Sequence, residues 1–225
     1  MLEVWLFRHG QSRENAGFHT KEHSGVLLTD LGKEQGKLIA EYIGGQGFFP
    51  LRIIASPYTR AKETAVCTAD RFDMPVEIRR IHEFSFIGNE VWGNIPPEER
   101  ETKVREYWKR GDPEETMGEG AESFIQFWDR VFDIKQWLCA CAKSESGLYS
   151  MFSHGYFIRG LVLSVFDPLT ARGRDPKEQM RRYDLFFHSV RVHNASLIKF
   201  FITEDGKITL SPFMLDHLPA HMLTH

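Results

Sequence analysis

Short apolar runs that stop abruptly at polar residues constrain this chain more than any other feature. "LEVWLF" runs into Arg8, His9 and Gly10, "LRIIA" into Ser56, "PVEIRRI" into His82 and Glu83, and "GLYSMFS" into His154 and Gly155. These runs have the length and apolar density of buried strands. Helical patterns separate them. In "LLTDLGKEQGKLIAEYI", Thr29 is the expected N-cap, with Leu31, Leu38, Ile39 and Ile43 on the helix that follows. "SPYTRAKETAVCTADRF" places Ser56 at a cap, Pro57 in the first turn, and a small-residue stripe at Ala61, Thr64, Ala65, Thr68 and Ala69. "SFIQFWDRVFDIKQWLCAC" opens with a Ser123/Gln126 capping box and carries Phe124, Phe127, Trp128, Val131, Leu138 and Cys141 along one face. "FIRGLVLSVF" reads as a further helix, "SLIKFF" and "KITLS" as late strands. The alternation predicts an α/β chain: a three-layer α/β/α sandwich around a mostly parallel central sheet.

The length of 225 residues suits one domain over 1–225, with 84–120 as a cap-like excursion. Within the excursion the charges of "NIPPEERETKVREYWKRGD" fit a solvated helix, with Glu99–Lys103 and Glu101–Arg105 as i,i+4 pairs. Its aromatics Phe84, Phe86, Trp92 and Trp108 fit core or cap packing better than a substrate cage. The net charge of −3 carries no footprint of nucleic acid or membrane, so an anion site must come from local placement of basic side chains. Cys67, Cys139 and Cys141 form neither an even framework nor a CxxC pair, as expected of reduced thiols in the cytoplasm. The opening apolar run is too short for a signal peptide, and no run reaches membrane-spanning length. Asn194-Ala195-Ser196 matches the glycosylation tripeptide, without meaning if the chain stays inside the cell.

Ligands of open α/β sheets sit outside the carboxyl ends of the strands. That edge receives Arg8, His9, Arg60, Glu83 and His154 from separate segments. Arginine forks match phosphate oxygens, and Arg60 also lies near a helix N-terminus, which favours an anion. His154 is a third candidate donor. A neutral imidazole at His9 can attack phosphorus; neighbouring positive charge favours that neutral form, and a carbonyl on the other ring nitrogen would fix the tautomer. Glu83 is the candidate proton donor to the leaving oxygen, and then the base for water. Such chemistry calls for no metal and no cofactor. The spacing of His19/His23 and His217/His221 suits a helical metal clamp, but neither pair has a nearby third ligand.

"RHGQSREN", "LTDLGKEQG", "SPYTRAKETA", "GAESFIQFWDRV" and "FSHG" resemble, in order, the motifs of the histidine phosphatase superfamily, also called the phosphoglycerate mutase-like family. The resemblance is clear over residues 4–165 and looser beyond, around "NASL". It implies a phosphorylated histidine at His9, with Arg8, Arg60 and His154 as its phosphate pocket. Asn15 and Gly155 match positions that contact phosphate or substrate, and Gln11 and Ser12 match the signature itself. Glu83 matches the acid/base, although its flank "HEFSFIGNEVWG" departs from the commoner glutamate-glycine-tryptophan pattern, and Glu90 is the reserve. The expected activity is hydrolysis of a small-molecule phosphate ester. Two alternatives are mutase-type phosphotransfer and a catalytically silent binder of phospho-ligands on the same fold.

Overall fold

Strands β1 (Leu2–Arg8), β2 (Pro50–Ala55), β3 (Val76–Ile78) and β4 (Gly147–Ser153) run parallel, and β5 (Leu197–Ile202) and β6 (Ile208–Leu210) add an antiparallel edge. The sheet order is β3-β2-β4-β1-β5-β6 in this computed structural model, which describes residues 1–224. Side chains alternate across each strand. Leu2, Val4 and Leu6 therefore enter one core, while Trp5 and Phe7 enter the other. The second core is covered by α1 (Asp30–Gly45) and α2 (Thr59–Phe72), through Ile39, Ile43, Ala65 and Ala69. The first is covered by α5 (Phe124–Cys141), α6 (Gly155–Phe166) and α7 (Pro176–Ser189). The expected α/β/α layering is what the chain adopts. Between the layers' elements, α3 (Asn89–Asn94) and α4 (Pro97–Arg110) occupy the excursion.

Local signals hold where the helix ends are self-contained. The Thr29 side chain accepts from the Gly32 amide, and the Ser123/Gln126 capping box forms in both directions. The stripe on α2 is buried throughout. Ser56 departs from expectation: α2 starts at Thr59 with no side-chain cap, because the Ser56 hydroxyl is taken by His154 and the Tyr58 amide. Glu101–Arg105 pairs at 2.8 Å, but Lys103 turns to Glu106 rather than Glu99. "PVEIRRI" yields a strand of only three residues before an irregular segment, and α7 adds a helix beyond those the sequence pattern predicts. Cys67, Cys139 and Cys141 are free thiols. Among the described residues, no helix is long and apolar enough to cross a membrane.

Candidate active site

The site grows from the end of β1. Pairing with β4 carries the backbone through Arg8, and the His9 amide then bonds the Ser153 carbonyl at 2.9 Å. The His9 carbonyl accepts from the Ala195 amide and from Asn194 Nδ2. His9 is thus clamped on both sides of its peptide. Asn194 is fully buried in this role, so it is no accessible glycan acceptor. Gly10 serves a close backbone approach rather than a ligand: a Cβ there would sit 2.3 Å from the Gly32 carbonyl oxygen at the start of α1. Its amide donates to Thr64 Oγ1, one turn along α2 from Arg60.

The ring of His9 is buried, and its tautomer is set by contacts. Nδ1 donates to the Gly10 carbonyl at 2.7 Å, which leaves the lone pair on Nε2. Arg60 Nε donates to that Nε2 at 3.0 Å, while its Nη1 holds the His23 carbonyl at 2.6 Å. Burial foremost, then Arg60 and Arg8, hold the His9 imidazole well below its ordinary value, so it is neutral near neutral pH. Arg8 reaches the Val192 carbonyl through Nη1, and its Nε is buried with no protein partner.

Glu83 hangs from the irregular segment after β3, which is fixed at two points. Ser153 Oγ donates to the Ile81 carbonyl, and Arg130, paired in the interior with Glu122, donates to the carbonyls of Arg80 and His82. Glu83 Oε1 accepts from the Tyr156 amide at 2.8 Å. Burial raises the Glu83 carboxyl above its ordinary value, although Arg60, Arg8 and the Tyr156 amide pull the other way. Desolvation by the fold itself therefore favours the protonated acid, before any charge on a ligand is considered.

His154 lies behind His9, ring centroids 5.0 Å apart, with Nε2 at 2.7 Å from Ser56 Oγ. It does not line the cavity, and its Nδ1 is buried without a partner. Ser12 and Asn15 do line it. Asn15 Oδ1 accepts from Ser12 Oγ, the Ser12 amide and Asn194 Nδ2, which assigns its NH₂ group to the remaining direction as a donor. Gly155 opens α6, where a Cβ would come within 3.0 Å of Arg159 and 3.7 Å of Arg8. Gln11 is not brought in: its side chain bonds Thr29 at the start of α1. Glu90 is exposed in the first turn of α3 and also stays out of the lining. The lining also takes in Glu14, His23, Ser85, Ile87, Val104 and Tyr156, to which the sequence assigns no site role, and Phe84, Phe86 and Trp92, expected there as packing residues. Arg159 lies beside Arg8 at Gly155, another neighbour of the site to which the sequence assigns no role. Its spacing of four from Gly155 on α6 was the available signal.

His9, Glu83 and His154 bring their ligand atoms within 4.8 Å of one another, the one such metal-sized group among the described residues. The donor set does not suit a cation. The only lone pair on His9 already accepts from Arg60, and Arg8 adds a second guanidinium beside it. Neither histidine pair noted in the sequence is on an α-helix: His19 and His217 sit in loops, and His23 bonds the Ile87 carbonyl. The cluster is built to meet an anion.

A model described as the histidine phosphatase superfamily (branch 1) matches residues 4–210. A glucosyl-3-phosphoglycerate phosphatase of Mycolicibacterium vanbaalenii is 40% identical over 73 residues, 32% of either chain, so the match spans about a third of that relative. A Yersinia pestis protein described as "Probable phosphoglycerate mutase GpmB" is 32% identical over 76% of this chain and 77% of its own. Among solved structures, a phosphoserine phosphatase mutant from Entamoeba histolytica in complex with phosphoserine superposes with TM-score 0.70 at 21% identity, covering 97% of this chain and 100% of that one. A mycobacterial glucosyl-3-phosphoglycerate phosphatase complexed with VO3 gives 0.67 at 20% identity, over 95% and 97%.

Proposed function

Because the chain belongs to the histidine phosphatase superfamily, we propose that it is a metal-independent phosphomonoesterase working through a phosphohistidine at His9, with residues 84–120 as a cap over the site of a single domain. One observation carries this reading. His9 is a buried neutral imidazole whose tautomer is locked by Gly10 and whose lone pair faces a guanidinium, with the half-buried Glu83 carboxyl close by. As the ester enters, the Arg60 Nε–H moves from His9 Nε2 to a phosphoryl oxygen, freeing the lone pair. Arg8, Arg60 and the Asn15 amide hold the phosphoryl oxygens. Nε2 attacks phosphorus, the bond to the ester oxygen breaks, and Glu83 gives its proton to the departing alcohol. Water then loses a proton to the Glu83 carboxylate and attacks the phosphohistidine, releasing phosphate and restoring both groups. His154 acts from behind, holding Ser56 and the start of α2 in place. The three free thiols support a cytoplasmic setting.

Phosphate release from p-nitrophenyl phosphate, run beside a 2,3-bisphosphoglycerate-dependent isomerisation assay, tests the proposal. Release by the wild type, abolished in His9→Ala, supports it. Isomerisation faster than release would make the protein a mutase, and binding of phosphate esters without either reaction would make it a silent binder.

A further inference from the structure

The cavity above His9 is divided by chemistry. Both cationic side chains in its lining, Arg8 and Arg60, flank His9 at the floor. The upper wall is Phe84, Phe86, Ile87, Trp92 and Val104. This wall is held by packing from behind: Phe84 stacks on Phe127 at 4.6 Å, and Phe86 on Tyr107 at 3.9 Å. Trp92 is pinned between His23 and the Arg100 guanidinium, 4.2 Å from the indole. The nearby arginines Arg100 and Arg159 do not line the cavity. Arg100 donates to the carbonyls of Thr20, Trp92 and Ile95, and Arg159 to that of Val190. The lining's further charge-bearing group away from the floor is Glu14, an acid, and burial first and the neighbouring guanidiniums after it keep His23 below its ordinary value. Away from Arg8 and Arg60, a second anionic group on a bound ester would meet no other arginine or lysine in the cavity's lining.

We infer that the physiological substrates are phosphomonoesters whose alcohol is apolar or aromatic and carries no second anionic group, so that phosphoglycerates, other carboxylated esters and bisphosphates are selected against. This inference rests on the proposed hydrolase reading and narrows it. An apolar wall gains from covering the alcohol, whereas a carboxylate stripped of water without a partner is strongly disfavoured.

The test is a matched pair of esters, p-methylbenzyl phosphate and p-carboxybenzyl phosphate, which differ in charge while keeping a benzylic leaving oxygen. The methyl ester is expected to show kcat/KM higher by roughly 10²-fold, since a carboxylate that loses its water without gaining a partner is strongly disfavoured. Val104→Lys, which sets a cation into the wall, is expected to narrow that ratio about tenfold, chiefly through a lower KM for the carboxylated ester. Equal kcat/KM for the two esters, or a preference for the carboxylated one, would overturn the inference while leaving the hydrolase reading intact. The corresponding non-hydrolysable 2-arylethylphosphonates, titrated calorimetrically, read the wall without turnover. If neither ester is hydrolysed but the p-methyl phosphonate still binds more tightly than the p-carboxy one, the hydrolase reading falls and the wall's selectivity stands; equal phosphonate affinities would remove the selectivity as well.

Discussion

At the scale of single residues, the Arg60–His9 contact and the half-buried Glu83 carboxyl divide the proposed labour, and each division can be tested. Arg60 touches His9 through Nε, a group lysine lacks, and holds the His23 carbonyl with another arm of the same fork. Arg60→Lys keeps a positive charge but loses the fork, so kcat/KM should fall by roughly 10²-fold, close to the loss in Arg60→Ala. Wild-type kinetics in Arg60→Lys would show that the fork is dispensable. Glu83→Gln separates acid from scaffold through the leaving group. Hydrolysis of alkyl phosphates should drop by roughly 10² to 10⁴. The pre-steady-state burst with p-nitrophenyl phosphate should survive far better, because that phenolate departs without a proton. Equal loss of both would reduce Glu83 to a partner of the Tyr156 amide. His9, Arg60 and Glu83 were legible because strand ends and helix starts deliver them from short, strongly patterned segments. Gln11 and His154 were less so. Nothing in "RHGQS" tells that Gln11 turns toward Thr29, nor in "FSHG" that His154 turns toward Ser56, since both bonds join segments distant in sequence.

Among the elements, β1, α1 and α2 meet where His9 is fixed, and two glycines make the meeting possible. A Cβ on Gly10 would overlap the Gly32 carbonyl, and one on Gly32 would lie 2.1 Å from the Gln11 carbonyl oxygen. Both obstacles are backbone, which cannot swing aside as a flexible side chain can. Gly32→Ala should therefore push the loop carrying His9 away from α1, costing about 1–3 kcal/mol in urea denaturation and lowering kcat as well. Ser123→Ala supplies the contrast. It removes the capping box of α5, which should cost about 1 kcal/mol while the pH profile and leaving-group dependence stay as in the wild type. A Gly32→Ala variant with unchanged stability and kcat would refute the account of this crossing. Caps such as Thr29 and Ser123 can be read from sequence because donor and acceptor lie within a few residues. The late start of α2 could not be, since a distant histidine takes the Ser56 hydroxyl. The excursion resisted reading for the same reason: its order comes from Ile87 bridging Met117 and from Arg100 gripping Thr20.

For the molecule as a whole, the fold buries histidines in their neutral form, and this sets its response to acid. His9 and His154 are held well below the ordinary 6.5, and His82 is pushed down to about 3, in each case chiefly by burial. Below about pH 6.5 the unfolded chain binds protons at these positions that the folded chain refuses. Stability must then fall as pH drops, each such histidine contributing a slope of about 1.4 kcal/mol per pH unit. Glu83 has the opposite sign. Its folded value is raised, so its contribution is complete in acid and is lost as pH rises through that value. The histidines outnumber it, and the melting temperature should decline steadily from pH 7 towards pH 5, less steeply in His9→Asn. A melting temperature flat across that range would contradict the burial of neutral imidazoles. The central claim concerns the bond that forms on one of them. Rapid quench of the enzyme with phosphorus-labelled substrate, followed by peptide mapping, should yield acid-labile, base-stable phosphate on the peptide containing His9, appearing within the burst and decaying with turnover. Label on a serine or aspartate, or a burst that persists in His9→Ala, would contradict it.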